Sequence, residues 1–272
     1  MSEQRNIHTL GIILKKHPVG ENDMLVTLHS PELGKIQASA RGARKITSSF
    51  GGHLESLNLC RFQLYKSPSR YTITQCQIAE NFKNIRQDYE RMVVAGLMAE
   101  IFHKSTHGGE HSQELFNLLR ESLHKLCDSD HHFFTVESFK LNLLRNMGAL
   151  PNLENCASCH TRWRDNHEIL LETGGHLRCR DCHQTTGRGA HLLGPDSSAP
   201  DGKHLSSMHS HAPIDFGIIK LIRYLTLPSN EQNKNISCTL QQKKQLKHIT
   251  RLFLEHFLDR EIMTERLLPE LR

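Results

Sequence analysis

The chain has 272 residues, a formal net charge of +5 and 37% hydrophobic residues. This length corresponds to one large or two ordinary domains with a sizeable core. A mildly basic balance permits a nucleic-acid partner without requiring one. The sequence has no run of about 20 apolar residues, so we predict no membrane span. The first residues lack the pattern of a signal peptide, so we expect a cytoplasmic protein with reduced thiols.

Five stretches in the first 80 residues alternate between apolar and polar residues. They are 10–14, 22–29, 34–40, 58–65 and 71–79. Alternation with period two predicts strands that have one buried face and one solvent-facing side. Residues typical of turns, such as Pro18 and Pro68, lie between the stretches. Five short antiparallel strands in residues 1–82 predict a small closed barrel, because closure removes exposed strand edges.

Cationic side chains cluster on the predicted solvent-facing side of this barrel. Residues 1–82 contain ten Lys or Arg and six Asp or Glu, so this segment contributes +4 of the net charge. Cations along a groove release counterions from phosphates, and a tyrosine ring can stack on a base. The alternative is an ordinary solvated strand face with a basic loop. The candidate DNA contacts are Lys35, Arg41, Arg44, Lys45, Arg61 and Tyr65.

The apolar period lengthens after residue 84, which predicts a helical region. Ser112 is a predicted helix N-cap, and Gly148 is a predicted stop signal. A segment rich in Gly, Ser, Pro and His, residues 187–213, predicts a long and partly disordered loop. The predicted helices are 88–104, 112–126, 133–147, 214–227 and 241–258.

Two Cys-x-x-Cys pairs form the most specific motif in the sequence. Nineteen residues separate the pairs, which is the spacing of a structural zinc site with four thiolate ligands. Free thiols or a redox pair are alternatives. Four thiolates and Zn²⁺ carry a charge of −2, so we expect neighbouring arginines (162, 164, 178 and 180) to offset it. The predicted ligands are Cys156, Cys159, Cys179 and Cys182.

Several short runs accompany the cysteine pairs along essentially the whole chain. The runs are Gly-Glu-Asn-Asp (20–23), Gly-Lys-Ile (34–36), Ala-Arg-Gly-Ala-Arg-Lys (40–45), Phe-Gly-Gly (50–52) and Asn-Met-Gly-Ala-Leu-Pro (146–151). With these runs and the cysteine pairs in this order, the sequence resembles the RecO family of bacterial recombination-mediator proteins.

The resemblance implies an α+β multidomain fold. Its expected parts are an N-terminal OB-fold β-barrel (1–82), an α-helical domain (83–272) and a four-cysteine zinc finger inserted in the latter (151–190). It also implies that Lys35, Arg41, Arg44 and Lys45 contact DNA, because they match the family's basic strand and loop.

The function implied by the resemblance is that of a recombination mediator. Such proteins bind single- and double-stranded DNA without sequence preference and anneal complementary strands. They act with RecR, and often RecF, to load RecA onto DNA coated by single-strand-binding protein, whose C-terminal tail they bind. We therefore expect a cytoplasmic protein that associates with the nucleoid during repair.

Two other classes of function stay open from the sequence. The protein could be a zinc-containing nucleic-acid enzyme such as a nuclease, or an adaptor that binds protein partners without DNA. The resemblance implies a protein without bond chemistry, so we predict no catalytic residue and no enzymatic activity. The sequence also contains no nucleophile elbow or phosphate-binding loop.

Overall fold

The structure, a computed structural model, describes residues 5–129, 132–172, 175–189, 213–227 and 237–258, together with Ile262 and Thr264. Contacts between residues divide the chain into two units. The barrel unit contains Met1–Asn146 and Arg260–Arg272, and the cysteine unit contains Met147–Asp259. The predicted domain boundaries, 1–82, 83–272 and the insertion 151–190 within the latter, stay a prediction.

The five predicted strands form a closed barrel. They are β1 (Asn6–Val19), β2 (Asp23–Ser30), β3 (Gly34–Ala40), β4 (Leu59–Lys66) and β5 (Tyr71–Glu80). Their order around the barrel is β1-β2-β3-β5-β4, and only the β3–β5 pairing is parallel. This closed Greek-key arrangement of five strands is that of an OB-like barrel. The predicted fold class, such a barrel followed by helices and a cysteine cluster, is confirmed.

Apolar residues at alternate strand positions fill the barrel. Val26 and Leu28 of β2, together with Phe62 and Leu64 of β4, are almost completely buried in one cluster. A short 3-10 turn (Gly51–Leu54) between β3 and β4 contributes Leu54 to the same cluster. The barrel therefore owes its fold to the alternation that the sequence displays.

The outer side of β2 is not exposed to solvent, contrary to the sequence prediction. Thr27 and His29, the polar partners in its alternating pattern, are buried. The His29 ring lies against Phe102 and Phe116, with ring centroids 4.9 and 6.5 Å away. Among the described residues, neither ring nitrogen of His29 has a hydrogen-bond partner. The prediction was wrong because helices cover this side of the barrel, which a strand pattern cannot show.

In the described part of the barrel unit, four helices follow the barrel. Ser112 caps one of them as predicted, since its side chain accepts a hydrogen bond from the Leu115 backbone. Gly148 follows the last of the four with the positive φ of 68° that favours glycine. The helices are α1 (Lys83–Gln87), α2 (Tyr89–Ser105), α3 (Gln113–Asp128) and α4 (His132–Asn146).

The α2–α3 connection packs against the start of β3. Lys35 forms an isolated backbone bridge with Gly108. A Cβ atom at Gly34 would lie 2.1 Å from the Glu110 carbonyl oxygen, and Gly34 has a φ of +64°. Both the backbone conformation and the close approach therefore require glycine at this position.

The cysteine unit has short elements. Strands β6 (Ile169–Leu171), β7 (Leu177–Cys179) and β8 (Pro213–Ile214) form a sheet in the order β7-β6-β8. Helix α5 (Arg180–Gly189) follows β7 directly, and α6 (Phe216–Leu225) packs on α7 (Leu240–Leu258). The loop predicted at 187–213 is wrong at both ends, since 187–189 belong to α5 and Pro213 begins β8. Residues 190–212 of that segment lie outside the described residues. No helix in the described part of the chain combines the length and apolar composition needed to cross a bilayer.

Candidate nucleic-acid interface and metal centre

Three of the candidate DNA contacts lie on one loop, residues 41–49, which we call the basic loop. Arg41, Arg44 and Lys45 are all exposed on it. The loop is tied to the β1–β2 turn, because Arg44 donates its backbone N–H and its Nη1 to the carbonyls of Asn22 (2.9 Å) and Gly20 (3.1 Å). A third tie joins Gly42 N to the Asp23 carboxylate at 2.8 Å. The cations therefore project from an anchored loop.

Arg61 and Tyr65 lie on the outer face of β4. Arg61 is exposed, and Tyr65 has 37% of its surface exposed. Arg61 lines a cavity of about 480 Å³ that is also lined by Ser49, the last residue of the basic loop. The structure therefore brings β4 and the end of the basic loop to the same place on the barrel.

Three cationic side chains of this surface have no protein partner among the described residues. Within the part of the chain that the structure describes, the side chains of Arg41, Lys45 and Arg61 form no hydrogen bond and no ion pair. Their charge is therefore not offset by a carboxylate in contact. A cation of this kind can approach a phosphate without first leaving a protein partner.

Lys35 lies apart from the other candidates. Its Nζ donates to the carbonyl of His103 at 2.7 Å and also to the carbonyl of Thr106, at the C-terminal end of α2. Burial lowers the pKa of Lys35 below its usual range. Lysines commonly bind the last carbonyls of a helix in this way. Lys35 therefore joins β3 to α2, and its part in DNA binding stays a prediction.

Several residues of this surface were missed by sequence reasoning. His8, Thr74, Gln75 and Gln77 line the same cavity as Arg61. Both Thr74 and Gln75 are exposed, so the alternation of β5 is broken there. The signal in the sequence was two consecutive polar residues, Thr74 and Gln75, within a predicted strand. Such a pair does not distinguish a bulge from a strand end.

The four predicted metal ligands come together in the cysteine unit. The sulfur atoms of Cys156, Cys159, Cys179 and Cys182 all lie within 4.8 Å of one another. The Sγ atoms of Cys159 and Cys179 are 3.8 Å apart. A tetrahedral ion with metal–sulfur bonds of about 2.3 Å requires sulfur atoms roughly 3.8 Å apart. The quartet can therefore hold a metal ion.

Local hydrogen bonds differ among the four sulfur atoms. The backbone N–H groups of Ser158 and Cys179 point to Cys156 Sγ at 3.4 and 3.3 Å. A contact with the Thr161 hydroxyl, followed in strength by its backbone N–H, lowers the pKa of the Cys159 thiol to about 6. Hydrogen bonds to neighbouring cysteine sulfurs raise the pKa of Cys182 to about 12. A bound cation would allow all four to be thiolates together.

The arginines around the quartet are mostly engaged with carboxylates. Arg178 Nε lies 3.2 Å from a Glu172 oxygen, and Arg180 Nη1 lies 2.7 Å from a Glu168 oxygen. Arg162 is 3.8 Å from Glu154, whereas Arg164 is exposed. The expectation that all four arginines offset the thiolate charge is therefore weakened, because glutamates already neutralise part of the charge of three of them.

The fold and the two sites define a class of protein: an OB-like barrel with an exposed basic loop, followed by helices and a four-cysteine cluster. Comparison with known proteins gives this class a family. The chain matches the family models Recombination protein O N terminal over residues 1–82 and Recombination protein O C terminal over residues 86–201. It belongs to the RecO family of DNA repair proteins.

Individual relatives agree with this assignment. The chain is 32% identical to DNA repair protein RecO of Alkaliphilus metalliredigens over 178 residues, which cover 65% of this chain and 72% of that protein. It is 28% identical to DNA repair protein RecO of Desulfitobacterium hafniense over 255 residues, 94% of this chain and 86% of that protein. A third similar protein is DNA repair protein RecO of Dehalococcoides mccartyi, at 30% identity over 185 residues.

Proposed function

We propose that this protein binds single- and double-stranded DNA without sequence preference and anneals complementary strands. The observation that supports this proposal most directly is the set of exposed cations without protein partners on the barrel unit. Arg41, Lys45 and Arg61 supply three such charges among the described residues, and Arg44, whose guanidinium donates to the Gly20 carbonyl, adds a fourth. Phosphate contacts of this kind position a strand but do not read its bases.

Annealing follows from the same charges. Two strands repel each other through their phosphates, and cations that neutralise both strands lower this barrier. Tyr65, part of whose ring is exposed on β4, offers a surface on which an unpaired base can stack. The proposal requires no bond to be made or broken, so it assigns the protein a mediator role and no catalytic residue.

The partners in this proposal come from the family. As a RecO-type mediator in the cytoplasm, the protein would act with RecR, and with RecF where present, to load RecA onto DNA coated by single-strand-binding protein. It would bind the C-terminal tail of that protein. For the cysteine quartet we propose structural Zn²⁺, because four sulfur ligands complete a tetrahedral shell and leave no open position for substrate.

The salt dependence of binding to a labelled duplex tests the interface. For Arg41→Ala/Arg44→Ala we expect weaker binding and a log–log salt slope that is smaller by roughly 1.8, since each phosphate contact contributes about 0.9. A matched double variant, Arg162→Ala/Arg164→Ala, removes two exposed arginines near the cysteines. If the matched variant lost the slope and the loop variant kept it, the interface would lie in the cysteine unit instead.

A further inference from the structure

The cavity beside the basic loop has a regular polar face. The register of the barrel places His8 of β1, Gln63 of β4 and Gln75 of β5 in one row across three strands. The next row along contains Arg61 and Gln77 on β4 and β5. With strands about 4.8 Å apart and alternate residues about 7 Å apart, the two rows cover roughly 10 by 7 Å. All five residues line the cavity.

A β-bulge opens this cavity on the β5 side. Gln63 pairs with Gln75 and Leu64 pairs with Ile73, so Thr74 is an extra residue that has no residue of β4 directly opposite it in the register. The Thr74 hydroxyl donates to the Gln63 carbonyl at 2.9 Å and so satisfies a backbone group of the ladder. A bulge re-aims side chains at the edge of a site. Here it leaves both Thr74 and Gln75 facing solvent.

The chemistry of the cavity selects a ligand that is polar, flat and anionic at one end. Three glutamine amides each offer two donors and an acceptor, which can bond to the donors and acceptors on the edge of an unpaired nucleobase. Arg61 supplies a cation, and among the described residues that line the cavity none carries a carboxylate. Phe50 and Phe62 also line the cavity, although little of either side chain is exposed. A cavity of about 480 Å³ lies within the range of roughly 300–1,000 Å³ that is typical of small-ligand sites.

We propose that this cavity holds one unpaired nucleotide of a DNA strand that runs along the basic loop. The base would contact Gln75 and Gln77, and the phosphate would contact Arg61. The proposal rests on the DNA binding proposed above and adds a preference to it. A base within a duplex is already paired, so only a single strand or a strand end can enter. The shared border with Ser49, at the end of the basic loop, favours a strand over a free nucleotide.

The test uses the full-length Gln75→Ala/Gln77→Ala variant. Its affinity for a labelled single-stranded oligonucleotide should fall about tenfold, the effect of losing two net hydrogen bonds, by fluorescence anisotropy. Its affinity for a blunt duplex of the same length should stay within about twofold, because paired bases do not reach the cavity. Gln87→Ala, which removes an exposed glutamine of α1, should change neither affinity.

Three outcomes would overturn the nucleotide pocket. The first is an unchanged affinity of Gln75→Ala/Gln77→Ala for single strands, and the second is an equal loss of affinity for both DNA forms. The third is competition by thymidine monophosphate that is as strong as competition by the unlabelled oligonucleotide. Circular dichroism melting of the variant shows whether it folds, and 2-aminopurine in the oligonucleotide gives a second signal. The 2-aminopurine fluorescence should rise when the oligonucleotide binds the wild-type protein and should rise less when it binds the variant. If the wild-type chain bound neither DNA form, the proposed function itself would fail. If the wild-type chain bound DNA and Gln75→Ala/Gln77→Ala bound single strands equally well, only the pocket proposal would fail.

Discussion

Arginine side chains occur in two different settings in this molecule. In the barrel unit, Arg41 and Arg61 are exposed, and within the described residues they have no side-chain partner. In the cysteine unit, Arg178 and Arg180 form ion pairs with glutamates. These two pairs carry the same kind of charge, but glutamates in contact offset it at Arg178 and Arg180, and among the described residues no carboxylate does so at Arg41 and Arg61. Partners, rather than the number of cations, indicate where a phosphate backbone can bind.

The two units also differ in what holds them together. The barrel closes a continuous ladder of hydrogen bonds around an apolar core. The sheet of the cysteine unit has strands of only three, three and two residues. A sheet this short is not stable alone in water. We therefore expect the metal to supply folding free energy to the cysteine unit and little to the barrel.

Loss of two metal ligands should have the largest effect. Cys179→Ser/Cys182→Ser should reduce zinc from about one ion per chain to below about 0.1 by plasma mass spectrometry. Because Trp163, the single tryptophan, is buried in the cysteine unit, its emission should shift to the red as that unit loosens. DNA affinity of the full chain should change little.

Cys238→Ser is the matched control for this change. It replaces a free thiol in the same unit that lies outside the quartet. Metal content and Trp163 emission should match the wild-type values. A quartet variant that lost zinc and most of its DNA affinity, while the barrel stayed folded, would contradict the division of roles between the units.

Local signals account for the parts that the sequence could predict. The cysteine quartet follows from a spacing of residues, and the cap at Ser112 follows from side-chain chemistry within one helical turn. The burial of His29 depends instead on helices that arrive 70 or more residues later in the chain. The engagement of Lys35 and the bulge at Thr74 likewise depend on tertiary contacts or on register between strands. None of these leaves a pattern in a single segment.

The buried His29 predicts an acid-sensitive barrel unit. Burial, followed by the nearby charge of Lys35, lowers its pKa from 6.5 to about 4. Above pH 6.5 the ring is neutral in both states and has no effect. As the pH falls from 6.5 to 4, the unfolded chain binds a proton that the folded chain does not, so stability is lost in this window. The loss should reach about 2 kcal/mol by pH 5.

Urea unfolding of wild type and His29→Leu at pH 7.5 and pH 5, followed by circular dichroism, measures this effect. The variant should lose less stability on acidification than the wild type, by about 2 kcal/mol. His17→Leu changes an exposed histidine of β1 and should keep the wild-type pH dependence. Equal acid sensitivity in wild type and His29→Leu would show that the ring is protonated in the folded barrel.

Lys35 and Lys45 allow a reciprocal test of the difference between a structural and an available cation. Lys35→Met keeps an unbranched side chain but removes the donor to the carbonyls of His103 and Thr106. Leaving such acceptors without a partner should cost about 1–3 kcal/mol in urea unfolding. The salt slope for DNA should hardly change, because the ammonium group of Lys35 faces α2.

Lys45→Met should do the reverse. Lys45 is exposed on the basic loop, and its side chain has no partner among the described residues, so stability should stay within about 0.5 kcal/mol. The log–log salt slope should fall by about 0.9, the contribution of one phosphate contact. If Lys35→Met lowered the slope as much as Lys45→Met while the protein stayed folded, then Lys35 would contact DNA as the family resemblance implies. Its bonds to α2 would then have to open when DNA binds, and the DNA-bound state would expose the α2 carbonyls that it occupies in the free protein.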